Sequence, residues 1–171
     1  MTSLVAPSLD HWRSWVAMVE EFGDPAEMHG SGAWQLRGGP VPTEAGCAAF
    51  VAMTERTADP GPHDLRVPST YFWIAEGEEL VGFLHLRHTL DDFLWERGGH
   101  IGYSVRPSAR GRGHARAALR LALDRARGLG LDRVLVTCDD DNAASRRTIE
   151  GGGGALEDVR QGVMRFWISL G

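Results

Sequence analysis

His100-Ile-Gly-Tyr-Ser-Val-Arg-Pro107, then Ser108-Ala-Arg-Gly-Arg-Gly-His-Ala115, then an Ala/Leu/Arg run to Leu129, is the segment around which this chain is organised. Its first part reads as a strand. Ile101, Tyr103 and Val105 fall on one face, and His100, Gly102 and Ser104 on the other. Pro107 has no N–H to donate and ends the ladder. Its last part reads as a helix, with Ala115, Leu119, Ala122, Ala126 and Leu129 at helical spacing. Between them lies a glycine-containing turn at a helix N-terminus, where free backbone N–H groups and the helix dipole favour an anion.

The turn does not fit two common phosphate-binding patterns. A dinucleotide fingerprint starting at Gly111 needs glycine where Arg116 stands, and a P-loop needs Gly-Lys where Arg116 and Ala117 stand. What fits is Arg/Gln-x-x-Gly-x-Gly/Ala, filled by Arg110, Gly113 and Ala115 after a strand ending Val105-Arg106-Pro107. This combination resembles the acyl-CoA-binding motif of the GNAT superfamily of N-acetyltransferases. The resemblance implies that the turn, Arg110, Gly111, Arg112, Gly113, His114 and Ala115, holds the CoA pyrophosphate. It also implies that the strand residues Tyr103, Ser104 and Val105 line the cosubstrate. Asn142-Ala-Ala-Ser145 resembles the family's Asn-x-x-Ser, which implies that Asn142 and Ser145 help hold the pantetheine arm.

Length and charge bound the rest. A chain of 171 residues is expected to form one domain with a sizeable core, here residues 1–171. The net charge of −5 argues against general nucleic-acid binding. The 18 basic residues are all arginine, and seven of them lie between Arg106 and Arg127, where Asp124 is the only acid. That local excess suits a phosphorylated cosubstrate. There is no signal-peptide pattern and no apolar run long enough to span a bilayer, and Cys47 and Cys138 are too few for a disulfide framework. A reducing cytoplasm with no membrane partner is the expectation.

The order of elements extends the resemblance. A short strand at 3–6 precedes a helix with Leu9, Trp12, Val16 and Val19 inward, flanked by Trp15 and Phe22. Residues 24–42 show no period. Thr43 can cap a second helix with Ala45, Ala49, Ala52 and Met53 inward, stopped by Pro60-Gly61-Pro62. Tyr71–Ala75 and Leu80–His88 read as a hairpin, and 89–98 as a polar connection. After the organising segment come a parallel strand over Arg133–Cys138, a short helix from Ala143, a break at Gly151–Gly154 and a closing hairpin. The resemblance implies an α/β fold of GNAT type: a mixed, mostly antiparallel sheet, one parallel pair splayed at the acyl-CoA site, and flanking helices.

The implied reaction is attack of an amine on the thioester of acetyl-CoA. Its developing oxyanion needs a donor, and the family places a backbone amide there, at Val105 or its neighbours. For the base, His100 stands near the position of a family glutamate, with an ordinary pKa near neutrality. Glu96, Asp91 and Asp92 are alternatives, and packing or cross-strand pairing is an equal reading for His100. For the acid, the family's tyrosine position, seven residues after Asn142, is Ile149, so Ser145 or solvent is left for that task. Cys138 has no adjoining base to make it a nucleophile, and His85, His88 and His100 lack zinc-ligand spacing, so no metal is expected. Trp34 and Trp95, with Asp91 and Asp92, are candidate acceptor contacts in the two irregular connections. The reading is direct acetyl transfer from acetyl-CoA to a small-molecule amine or a peptide amino terminus, with a homodimer compatible. The missing tyrosine and the histidine keep open a second reading, a catalytically impaired acyl-CoA-binding sensor module.

Overall fold

A computed structural model describes residues 1–58 and 67–171. The stop expected at Pro60-Gly61-Pro62 lies outside the described residues. Among the described residues seven strands form one sheet: β1 (Thr2–Val5), β2 (Ser69–Glu76), β3 (Glu79–Arg87), β4 (Ile101–Val105), β5 (Arg133–Asp139), β6 (Ala155–Arg160) and β7 (Val163–Ser169), in the order β1-β2-β3-β4-β5-β7-β6. Every pairing is antiparallel except β4 with β5. The helices are α1 (Trp12–Phe22), α2 (Glu44–Ala58), α3 (Asp92–Glu96), α4 (His114–Gly128) and α5 (Ala143–Gly151). This is the mixed, mostly antiparallel α/β architecture that the motif implied. The crossover from β4 through α4 to β5 is the connection a parallel pair requires.

The sheet separates two apolar cores. Under α4 and α5 lie Ile74, Leu84, Leu86, Ile101, Val134, Val136 and Phe166 with Leu119, Ala122 and Ile149. Under α1 and α2 lie Trp73, Phe83, Tyr71 and Leu80 with Trp15, Met18, Phe22, Phe50 and Met53. Alternate positions of β2, and of β3 from Phe83 onward, feed opposite cores, and a register shift opposite Ile74/Ala75 resets the faces of Leu80 and Val81.

The inward faces of the first two helices differ from the expected ones. In α1 the buried residues are Trp15, Met18, Val19 and Phe22, while Leu9, before the helix, is exposed and Trp12 and Val16 are only half-buried. In α2 they are Cys47, Phe50, Met53 and Thr54, whereas Ala45 and Ala49 face solvent. Aromatic area explains both rotations. Phe50 contacts Trp15, Trp73 and Phe83 with ring centroids 5.5, 6.2 and 5.8 Å away, and an alanine face has no comparable area to bury. Thr43 does cap α2, its Oγ1 accepting the Gly46 N–H at 3.0 Å.

Both irregular connections carry more structure than expected. Residues 24–42 contain two short 3-10 turns, Pro25–Glu27 and Ala33–Gln35. The polar 89–98 connection forms α3, because Asp91 accepts the Leu94 N–H at 2.8 Å and Leu94 is buried. Its far end is tied to the last hairpin by Arg165, whose Nε donates to the Trp95 carbonyl at 3.0 Å while Nη1 pairs with Glu157 and Asp158.

Candidate active site

The site begins where β4 and β5 part. They share a single register pair, Ile101 with Val136. Just before it, His100 N–H donates to the Leu135 carbonyl at 2.7 Å, and the Leu135 N–H donates back to His100 Nδ1 at 2.9 Å. The imidazole thus takes the place of a backbone carbonyl one residue before the Ile101–Val136 pair, beyond which the strands diverge. Even-numbered residues of β4 serve β3: the His100 carbonyl accepts from Arg87 N–H, and Arg106 N–H donates to Val81. By strand alternation the N–H groups of Tyr103 and Val105 point the other way, into the opening.

From the opening a cleft of about 530 Å³ runs between β4, the Arg110–Ala115 turn and the start of α5. Gly111 (φ +75°) and Gly113 (φ +85°) adopt the left-handed conformation that folds the turn back on itself. Gly113 caps α4 without a side chain, so the first-turn N–H groups of the helix remain free at the cleft mouth. Arg110 lines the cleft and its Nε donates to the Val105 carbonyl at 2.9 Å, tying the turn to the strand. Two expected arginine and histidine side chains point elsewhere. Arg112 pairs with Glu76 at 2.8 Å, and buried His114 contacts Thr2 Oγ1 through Nδ1 at 2.9 Å, so His114 meets the cleft as part of the turn. Arg116 and Arg147, both exposed, line the cleft and supply positive charge there, although no motif singled them out.

On α5, Asn142 Oδ1 accepts the Ser145 N–H at 3.0 Å, which caps the helix and fixes the start of the cleft wall. Ser145 Oγ lies 3.0 Å from the Tyr103 hydroxyl. Tyr103 reaches across from β4, and burial pushes its pKa up, so it stays a protonated donor. Ile149, where the family tyrosine was expected, is fully buried in the core below. Ser104 points to the opposite face, where its Oγ donates to the His29 carbonyl at 2.7 Å. That bond seats the 28–33 segment on β4. Gly30 lies there at φ +75°, and a Cβ on it would run into the Gly102 carbonyl, so only glycine permits this approach.

His100 is 7% exposed. Burial, first, and then the nearby Arg87 charge pull its pKa down to about 4, against the near-neutral value expected for a free side chain. It is therefore neutral at physiological pH, with Nδ1 committed to Leu135.

The two irregular connections meet around a second cavity, of about 660 Å³, on the α1/α2 face of the sheet. Trp34 and Gln35 come from one, Asp91, Phe93 and Leu94 from the other, and Tyr71, His85 and Arg87 from β2 and β3. Trp34 is 75% exposed. The remaining candidates of the 89–98 connection lie away from it. Trp95 packs on Trp167 with centroids 5.5 Å apart, Glu96 pairs with Arg160 at 2.8 Å, and Asp92 is an exposed first-turn residue of α3. Among the described residues no cluster of three or more potential ligands could hold a metal ion, and no helix is long and apolar enough to cross a membrane.

Comparison with known proteins matches this geometry. Comparison with curated protein sequences returns no match. Among solved structures, Mycobacterium smegmatis RimJ in complex with CoA-disulfide superposes with a TM-score of 0.72 at 19% identity, covering 98% of this chain and 81% of that one. The microcin C7 self-immunity acetyltransferase MccE, in complex with acetyl-CoA and AMP, gives 0.66 at 15% identity over 98% and 92% of the two chains. A spermidine N-acetyltransferase SpeG chimera from Vibrio cholerae and hSSAT gives 0.62 at 17% identity over 99% and 95%. The family model described as acetyltransferase (GNAT) matches residues 43–150, from the cap of α2 through the turn to α5, and the chain belongs to that family.

Proposed function

We propose that this protein transfers the acetyl group of acetyl-CoA directly to a primary amine of a small molecule or amino terminus. The observation that carries the reading is the opened β4/β5 pair, leading from free amides at a helix N-terminus to two strand N–H groups with no β5 partner. Phosphates fit the turn amides with Arg110, Arg116 and Arg147 alongside. The Val105 or Tyr103 N–H faces the opening as the oxyanion donor.

The amine nitrogen attacks the thioester carbon. A C–N bond forms, the C–S bond breaks, the amine gives up a proton and the leaving thiolate gains one. Tyr103 stands for the acid. Its hydroxyl, held by Ser145, occupies the cleft from the β4 side and takes over a task for which Ile149 has no group. Because His100 Nδ1 accepts the Leu135 N–H, the neutral ring carries its proton on Nε2 and has no free lone pair, so the amine proton leaves through solvent. Both cysteines are free and buried, as suits a reducing cytoplasm.

The test is acceptor-dependent release of CoA thiol from acetyl-CoA across a panel of amines. Binding of acetyl-CoA without release by any amine would leave a binding module, and failure to bind acetyl-CoA would sink the assignment. Tyr103→Phe should lower kcat by about 10²-fold with acetyl-CoA affinity nearly unchanged, the usual scale for losing a positioned acid. Unchanged kcat would mean that the thiolate leaves unaided.

A further inference from the structure

The cavity between the two connections is lined by two polar side chains, His85 and Arg87, with hydrogen-bonding capacity that the fold leaves unspent. His85 is 6% exposed and lines the cavity, and its Nε2 has no hydrogen-bond partner among the described residues. The ring is not free to turn away. It is stacked on Tyr71 with centroids 3.9 Å apart and planes 13° from parallel. Tyr71 is in turn fixed by Gln35, whose Nε2 donates to its hydroxyl at 2.8 Å. An unpartnered buried nitrogen costs free energy unless something else meets it.

Arg87 lies two residues along β3, on the same face. Its Nη1 donates to the carbonyls of Gly98 and Gly99, each at 3.0 Å. Among the described residues its Nε and Nη2 make no hydrogen bond and no carboxylate comes within ion-pair distance; burial pulls its pKa down, and the Tyr71 and Asp91 charges oppose that. Those two nitrogens form the side-on fork that grips a carboxylate through two parallel hydrogen bonds. The guanidinium sits over Gly102, with Nη1 3.8 Å from where a Cβ on that glycine would stand. Gly102 is the first β4 residue past the Ile101–Val136 pair and is covered by the backbone of Gly30, so the Arg87 guanidinium stands beside the 28–33 segment at the edge of the opening. Asp91 is the single acid among the described lining residues, and one of its oxygens is spent capping α3.

We infer that the acceptor is an amino acid, its carboxylate held by Nε and Nη2 of Arg87 and its amino group beside His85 Nε2, next to the 28–33 segment. The inference rests on the proposed acetyl transfer and names the substrate class for that same opening. An α-amino group is close enough to its own carboxylate for one site to anchor the second while presenting the first to the thioester. The neighbouring guanidinium also disfavours the ammonium form, which helps to deliver the neutral amine that attack requires. A polyamine would instead bring further positive charge against Arg87, and a peptide amino terminus would leave the fork without its carboxylate.

The experiment compares free L-amino acids with their α-amides and with spermidine as acceptors, at saturating acetyl-CoA, by CoA release. For the best amino acid, kcat/KM should exceed that of its own amide by at least about tenfold, roughly one charge-assisted bond pair. Arg87→Gln should cut kcat/KM for the acid by about 10²-fold, leave the amide within a few-fold, and leave acetyl-CoA affinity unchanged. Because Nη1 also holds two carbonyls, Arg87→Lys is the companion variant. It keeps the charge, loses the fork and should show the same collapse of preference in smaller measure. The acid-against-amide comparison on the parent needs no variant. Equal or better turnover of amides or of spermidine overturns the inference while leaving acetyl transfer to amines intact. If no amine of any class releases CoA, both readings fall.

Discussion

Gly113→Asp should weaken acetyl-CoA binding by at least about 10²-fold while the protein remains folded, read by isothermal titration of parent and variant. The size follows from three effects at one position. Gly113 caps α4 at φ +85°, a conformation that costs an L-residue about 1 kcal/mol or more. The new carboxylate stands at the helix N-terminus and can accept the first-turn N–H groups itself, removing them from the phosphates. It also places a negative charge where the pyrophosphate would lie. Folding should survive, because a Cβ on Gly113 meets no atom within 4 Å and therefore no core packing is disturbed. Parental affinity in the folded variant would move the CoA site away from this turn. Gly111→Asp, also at positive φ in open space, is the natural control for charge at the turn without the cap position.

The second large effect is loss of stability in mild acid. His100 has a folded pKa of about 4 against about 6.5 for a free histidine. Burial and the charges of Arg87 and His88 depress His85 further in the same direction. Between these values the unfolded chain binds protons that the folded chain refuses. Stability therefore falls as pH drops from about 6.5 towards 4 and levels off once the folded form titrates. His100 alone accounts for about 3 kcal/mol over that window, from the 1.36 kcal/mol per pKa unit. That corresponds to a fall of about 10 °C in Tm for a chain of this size. Glu21, held below the usual carboxylate range against its burial by the Ser108 N–H and hydroxyl and then by Arg106, and Asp158, held low against its desolvation by Arg165 and Arg160, work in the same direction but only at lower pH. The measurement is Tm against pH from 7.5 to 4.5 for the parent and His100→Asn. An asparagine oxygen can still accept the Leu135 N–H without gaining a proton, so the variant should lose less stability over the window. Identical slopes would place the acid sensitivity in other groups.

Local chemistry made the organising unit legible before any coordinates. A period of two ending at a proline, two glycines in a turn and a helical period in the next run are short-range signals, and β4, the turn and α4 follow them closely. The closing hairpin around Gln161-Gly162, both at positive φ, was legible for the same reason. The faces of α1 and α2 were not. Many residues in those helices are apolar, so periodicity alone permits several rotations, and the aromatic partners that choose one lie on β2 and β3, far along the chain.

The site divides along the same line. Which backbone turn can receive an anion is a property of a few consecutive residues, so the glycines at 111 and 113 and the cap at Asn142 already stated it. What lies across from that turn depends on non-local packing. Tyr103 meets Ser145 only because β4 and α5 are brought together through α4 and β5, and the sequence separation of 42 residues leaves no periodic trace. Likewise, His100 becomes a strand-joining acceptor with a low pKa only when Leu135 and Arg87 surround it. His85 and Arg87 read in sequence as ordinary alternating residues of a strand. Solvent exclusion, the stacked Tyr71 and the use of Asp91 as the cap of α3 are what leave them hydrogen-bonding capacity, and those are properties of the assembled fold.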